Sequence, residues 1–264
     1  KIKGLGARPE VTVTELPPAG GKGLGSFEAI KTGMDEADPS LVGGMTFGKI
    51  KKDFVDGYLK GHEGVKAHKS LEGGKDTAAY GIKEPYNLDR SNYKTDKDFA
   101  AAVALKHYEE AERKFKEPIL DEYGKNTKLN NSVWEDLGEA GRYALTDLHF
   151  NTGKVGDSSN ASDAKDAITN TLNFIIMTAK DTTKVSLVSL AKRRAENWNK
   201  AADDLGLTKI DKIQQMPRAG GGTIMNYLDS EGNIVHQVST SRIPVTLNKN
   251  GTYKVLTTTR EEEI

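Results

Sequence analysis

The sequence predicts an α+β fold, with a mainly helical domain, an extended N-terminal arm and a C-terminal β-rich extension. Three observations carry this reading. Residues 1–45 are rich in glycine and proline, with "LPPAGGKGLGS" at 16–26, a composition that favours extended chain with little core of its own. From Thr46 to about residue 206, apolar residues recur at helical spacing. Between 223 and 259 they alternate and are β-branched, interrupted by "SEGN" and "NKNG", which read as hairpin turns. The expected units are an arm at 1–45, a helical domain at 46–206 and an extension at 207–264 that is added to the helical core.

Within the arm, "VTVTEL" (11–16) is the one strand-like run, and "GGKGLG" lacks the strand and helix that a phosphate-binding loop needs around it. Phe47, Ile50, Phe54, Tyr58 and Leu59 mark the first helix, with Thr46 placed to cap it. It should end near Glu63, because Gly64 suits the residue after a helix. Residues 64–97 read as loop and turn. A helix from about Asp98 to Lys116 stops before Pro118. The next opens on the capping box Ser132 to Glu135, carries Trp134, Leu137, Leu145 and Leu148, and stops at "HFNTGKVG". Two further helices are expected at 161–179 and 185–205, and three or four antiparallel strands at 223–259.

Composition narrows the function. Basic and acidic residues both number 38, so the net charge is zero, which argues against duplex DNA or an anionic membrane as the main partner. There is no cysteine, which excludes disulfides and thiolate metal sites. The histidines (His62, His68, His107, His149, His236) form no HExxH-type pair, so neither a metal nor a cofactor is expected. No apolar run reaches the ~18 residues of a membrane span. The N-terminus lacks the layout of a signal peptide, and its first residue, Lys1, suggests a processed chain or an excised piece.

The stretch with chemistry is "GHEGVKAHKSLEGGKDTAAYG" (61–81), which holds Glu63, Glu72, Thr77 and Tyr80. Glycoside hydrolysis needs a carboxylic acid that protonates the leaving oxygen and a second carboxylate that manages water or attacks the sugar. Glu63 falls in the last turn of a helix, where the macrodipole disfavours negative charge, as suits an acid that must hold its proton. Glu72 falls in the following turn, and the Thr77 hydroxyl is placed to hold a water. Tyr80 and Tyr86 are candidates for sugar stacking, and Asn151 for the wall of a cleft. His62 and His68 read as surface residues, Trp134 and Trp198 as core, and Arg193 and Arg194 as partners of nearby carboxylates.

This strip resembles the active-site segment of the phage-type lysozymes, glycoside hydrolase family 24. The shared features are Glu63-Gly64, eight residues between Glu63 and Glu72, Gly74 in the turn, then a threonine and a Tyr-Gly pair. "RYALTDLHFNTGKVG" (142–156) is similar to the family's helix that ends in Phe-Asn-x-Gly. "SLAKRRAENW" (189–198) is similar to its late arginine-pair helix, at Arg193, Arg194 and Glu196. The resemblance covers about residues 46–206 and implies a lysozyme-like domain. It implies an inverting cleavage of the N-acetylmuramic acid–N-acetylglucosamine bond of peptidoglycan. Glu63 would be the general acid, Glu72 would orient the water and Thr77 would assist.

The chain departs from that pattern in four places. Glu72 replaces the usual aspartate, the run from Glu72 to Thr77 is one residue shorter, Ser70 replaces an aromatic, and the histidine after Tyr-Gly is absent. "LEGGKDTAAYGI" also resembles the strip of glycoside hydrolase family 108, in which Glu72 would be the acid. A free lysis enzyme needs neither arm nor extension, so the expectation is a virion-associated lysozyme acting in the bacterial cell wall or periplasm. Its residues 1–45 and 207–264 would dock on tail or other virion proteins. The alternatives are a non-catalytic virion protein of lysozyme-like fold and a free endolysin.

Overall fold

Helices dominate the computed structural model, which describes residues 45–64, 68–69, 76–77, 80, 88–117, 123, 133–155, 160–175, 187–241, 244–247 and 253–264. The first helix, α1, runs as Phe47–Lys49, Ile50–Leu59 and Lys60–Glu63. Thr46 caps it as expected, accepting from the Lys49 N–H at 3.1 Å. Its middle is wound wider than an α-helix, and the Lys60 N–H bonds to the Val55 carbonyl. Ile50, Phe54, Tyr58 and Leu59 are buried, so the apolar face read from the sequence is the packed one. The helix stops at Gly64, whose φ of 70° is a backbone state that a side chain would disfavour.

A short antiparallel pair follows, β1 (His68–Lys69) with β2 (Asp76–Thr77), in the register His68 with Thr77. A single 3₁₀ turn, Arg90–Asn92, leads into α2, Asp96–Lys116. Thr95 and Asp98 close a capping box at its start, two residues before the start expected from the apolar period. Thr95→Ala should therefore lower the unfolding free energy by about 1 kcal/mol, read from the denaturant midpoint.

The single helix expected from Ser132 is two pieces, α3 (Val133–Asp136) and α4 (Gly138–Thr152). Gly138 has a φ of 63°, and this left-handed residue resets the axis between them. Gly153 closes α4 in the left-handed conformation, as the glycine-marked stop implies. The two last helices are α5 (Ala164–Thr171) and α6 (Leu187–Leu205). The longer helix expected at 161–179 stops early, at Thr171, because 172–175 are turn and irregular chain; residues 176–186 lie outside the described residues, as do residues 1–44 of the arm.

The C-terminal strands are β3 (Lys212–Pro217), β4 (Thr223–Leu228), β5 (Ile234–Thr240), β6 (Val245–Leu247), β7 (Tyr253–Val255) and β8 (Arg260–Glu263). Four of them form an antiparallel sheet in the order β5-β4-β3-β8, and β6 pairs with β7. The sheet begins earlier and ends later than the apolar alternation suggests. The α+β class is as read from the sequence. The extension is more than an add-on, because Ile210, Ile213, Met225 and Tyr227 belong to the same buried cluster as Phe54, Leu105 and Trp198. The Tyr227 hydroxyl donates to the Leu172 carbonyl at 3.0 Å, and the Trp198 indole donates to the Thr208 carbonyl at 2.8 Å. One face of the sheet is thus fastened to the helices that carry the site below.

Candidate functional site

Two helices face each other and supply most of the site. Asp147 and Asn151 are one turn apart on α4, and Arg193 and Asn197 are one turn apart on α6, with Arg194 beside them. Asp147 is 0% exposed, which is tolerable for a carboxylate only when it is paired and hydrogen-bonded. Arg193 reaches it with Nε at 2.9 Å and Nη2 at 2.6 Å, a two-pronged contact. Arg194 Nη1 donates to it at 3.1 Å, and Asn197 Nδ2 at 2.7 Å. Arg194 also donates through Nη2 to Asn151 Oδ1 at 2.7 Å.

Glu63 joins this cluster from the end of α1. Its carboxylate accepts from Arg193 Nη1, and its side chain is 20% exposed, so it alone of the two carboxylates meets solvent. Arg193 therefore sits between one buried carboxylate and one at the rim. The two carboxylates and two guanidiniums balance in formal charge.

The electrostatics follow from burial and pairing. Burial pushes the Asp147 carboxyl up, but the Arg193 and Arg194 guanidiniums outweigh it and hold the group well below the usual carboxylate range. Burial pulls Arg193 down, and Asp147 with Glu63 outweighs that, so its charge is locked. Arg194, buried and repelled by Arg193, is pushed down to about 10 and stays charged near neutrality. His62 lies 3.5 Å from Glu196, yet burial and the Arg193 charge lower its imidazole to about 4. The ring is neutral near pH 7, so this contact is not an ion pair. Lys200 closes one side, with its ammonium 3.8 Å over the Tyr58 ring and a 2.7 Å bond to the Gly57 carbonyl.

The residues singled out in the sequence fare differently. Glu63 and Asn151 are brought to one site through the two arginines. Thr77 lies in β2, where its backbone pairs with that of His68. Glu72 and Tyr86 lie outside the described residues. Tyr80 is 8% exposed and has a φ of 64°, so its ring is packed in the core and is not presented for stacking on a sugar. Trp134 and Trp198 are core residues as expected, and Arg193 and Arg194 do pair with carboxylates. Sequence reading missed Asp147 and Asn197. The signal was there, since Asp147 interrupts a buried face of α4 that includes Tyr143, Ala144 and Leu148.

Among the described residues, no group of three or more histidine, aspartate or glutamate side chains could hold a metal ion. No described helix is long and apolar enough to cross a membrane. Comparison with protein-family models, with curated proteins and with solved structures gives no match.

Proposed function

We propose that the chain is a muramidase that hydrolyses the N-acetylmuramic acid–N-acetylglucosamine bond of peptidoglycan. One observation supports this above the others. The three segments that resemble family 24 in sequence order meet in space: Glu63 from the strip, Asn151 from the "FNTG" helix, and Arg193 and Arg194 from the late helix. Nothing in helical periodicity requires three such segments to share one polar cluster.

In this reading Glu63 is the proton donor: one oxygen takes a proton from solvent and passes it to the glycosidic oxygen, while the other keeps its contact with Arg193 Nη1. Glu72 and Thr77 manage the attacking water, which makes the reaction inverting and leaves water as the only co-reactant. The placement of the Glu63 and Thr77 backbones agrees with those roles: a helix end, then a short antiparallel pair that brackets the Glu72 segment. The arm and the sheet extension support a virion-associated enzyme that docks on tail or other virion proteins while acting on the cell wall.

Purified protein incubated with isolated peptidoglycan should release reducing ends and clear a peptidoglycan gel. A specific observation favours a second reading, a non-catalytic protein of the same architecture: Glu63 has a structural partner in Arg193. Absence of clearing at every pH between 4 and 9, with the protein folded by circular dichroism, would establish that reading instead.

A further inference from the structure

The cluster around Asp147 is more elaborate than a helix-to-helix pairing needs. A fully buried carboxylate that collects two guanidiniums and an amide adds little net stability, because desolvation offsets much of the attraction. Its geometry has a clear consequence for the rim, however. Arg193 spends Nε and Nη2 on Asp147 and has Nη1 left for Glu63. A guanidinium is planar, so fixing two of its nitrogens fixes the third. Arg194 and Asn197 in turn fix Asp147, and Arg194 is itself tied to Asn151 and to the Phe174 carbonyl at 3.3 Å.

We infer that Asp147 is a positioning residue for the proton donor: it holds Arg193 in the one orientation that presents Nη1 to Glu63. This inference rests on the muramidase reading. Asp147 touches no substrate and acts only through Arg193. It also keeps Arg193 neutralised in the half of the cycle when Glu63 carries its proton, so the guanidinium is never left buried and unpaired. The other charged or titratable groups around the pair are His62 on α1, and Arg194, Glu196 and Lys200 on α6. His62 is neutral near pH 7, and Arg194 keeps its charge there.

The test is the pH profile of reducing-end release from purified peptidoglycan, with kcat and KM resolved, for wild type, Asp147→Asn and Arg193→Gln. In Asp147→Asn the Arg193 charge falls on Glu63 alone, which favours the carboxylate. The high-pH limb should move towards acid by about one unit. The kcat should fall by about 10- to 100-fold with KM within about twofold, because a donor aimed wrongly still lets substrate bind. Arg193→Gln removes the cation and should move the same limb the other way. It leaves Asp147 bonded to Arg194 and Asn197, so it carries the test if Asp147→Asn does not fold. A merely structural role would lower the folded fraction without moving either limb. Folded variants with the wild-type limb and the wild-type kcat overturn the inference while the muramidase reading stands. A wild-type protein that releases no reducing ends removes both.

Discussion

Glu63→Gln is expected to lower peptidoglycan cleavage by about 10²- to 10⁴-fold, the range that a general acid contributes. The substitution keeps the size of the side chain and an oxygen that still accepts from Arg193 Nη1. It removes the proton that is delivered and the negative charge that pairs with Arg193. The site should otherwise persist, because Asp147 continues to hold Arg193 through two bonds and Arg194 through a third. Glu63 is at the rim, where loss of an ion pair has a small effect, so the thermal midpoint should stay within a few degrees. Initial rates on purified peptidoglycan, beside a melting curve, measure both quantities. The parallel variant Glu72→Gln separates the two registers of the strip. Full activity in Glu63→Gln together with loss in Glu72→Gln would assign the proton to Glu72, and the Glu63 pair with Arg193 would then be structural.

What the sequence revealed of this site depended on how local each feature is. The helix end at Glu63 was legible because Gly64 and the periodic run before it act within a few residues. Gly153 closing α4 was legible for the same reason. Strands β3 and β8 were not: "KIQQMP" and "REEE" carry few β-branched residues, and they become strands because β4 offers β3 a partner and β3 offers one to β8. The amide row shows how that pairing is secured. Gln237 donates to Asn226 at 2.7 Å, Asn226 to Gln214 at 2.9 Å, and Gln214 to Glu261 at 2.8 Å, linking all four strands through polar side chains. A pattern search for apolar alternation cannot find a strand held in that way. Asp147 is a further case, because its partners lie 46 and 47 residues away on another helix. The readable hint was a carboxylate on an apolar face, which must be paired if the helix packs at all.

Acid should destabilise the fold well before the buried carboxylate titrates. His107 and His149 meet between α2 and α4 with Nδ1 to Nδ1 at 2.8 Å, so one ring donates and the other accepts. That arrangement requires at least one ring to be unprotonated at the shared edge, since two protonated rings would face each other as donors. Burial, reinforced by the nearby His149 ring, lowers His107 to about 3, and burial also lowers His149 beside Glu110, Lys114 and Arg113. His62 is lowered to about 4 by burial and by Arg193. An unfolded histidine titrates near 6.5, so between pH 6.5 and 3 the unfolded chain binds more protons than the folded one. The contribution of these groups is therefore fully present above pH 6.5 and is lost progressively as the pH falls towards 3 to 4. At ~1.4 kcal/mol per unit, and allowing for local relaxation, His107 alone should account for roughly 3 kcal/mol. Asp147 adds to the loss only below its unfolded value of 3.8, because its folded carboxyl is held lower. The thermal midpoint should fall by roughly 10 °C between pH 7 and pH 4. Unfolding followed by circular dichroism at half-unit steps gives the slope. His107→Gln removes one titrating ring and should flatten that slope between pH 6 and 4, even if it lowers stability at pH 7. A stability that stays level from pH 7 to pH 4.5 in the wild type would mean that the two rings are not a buried neutral pair.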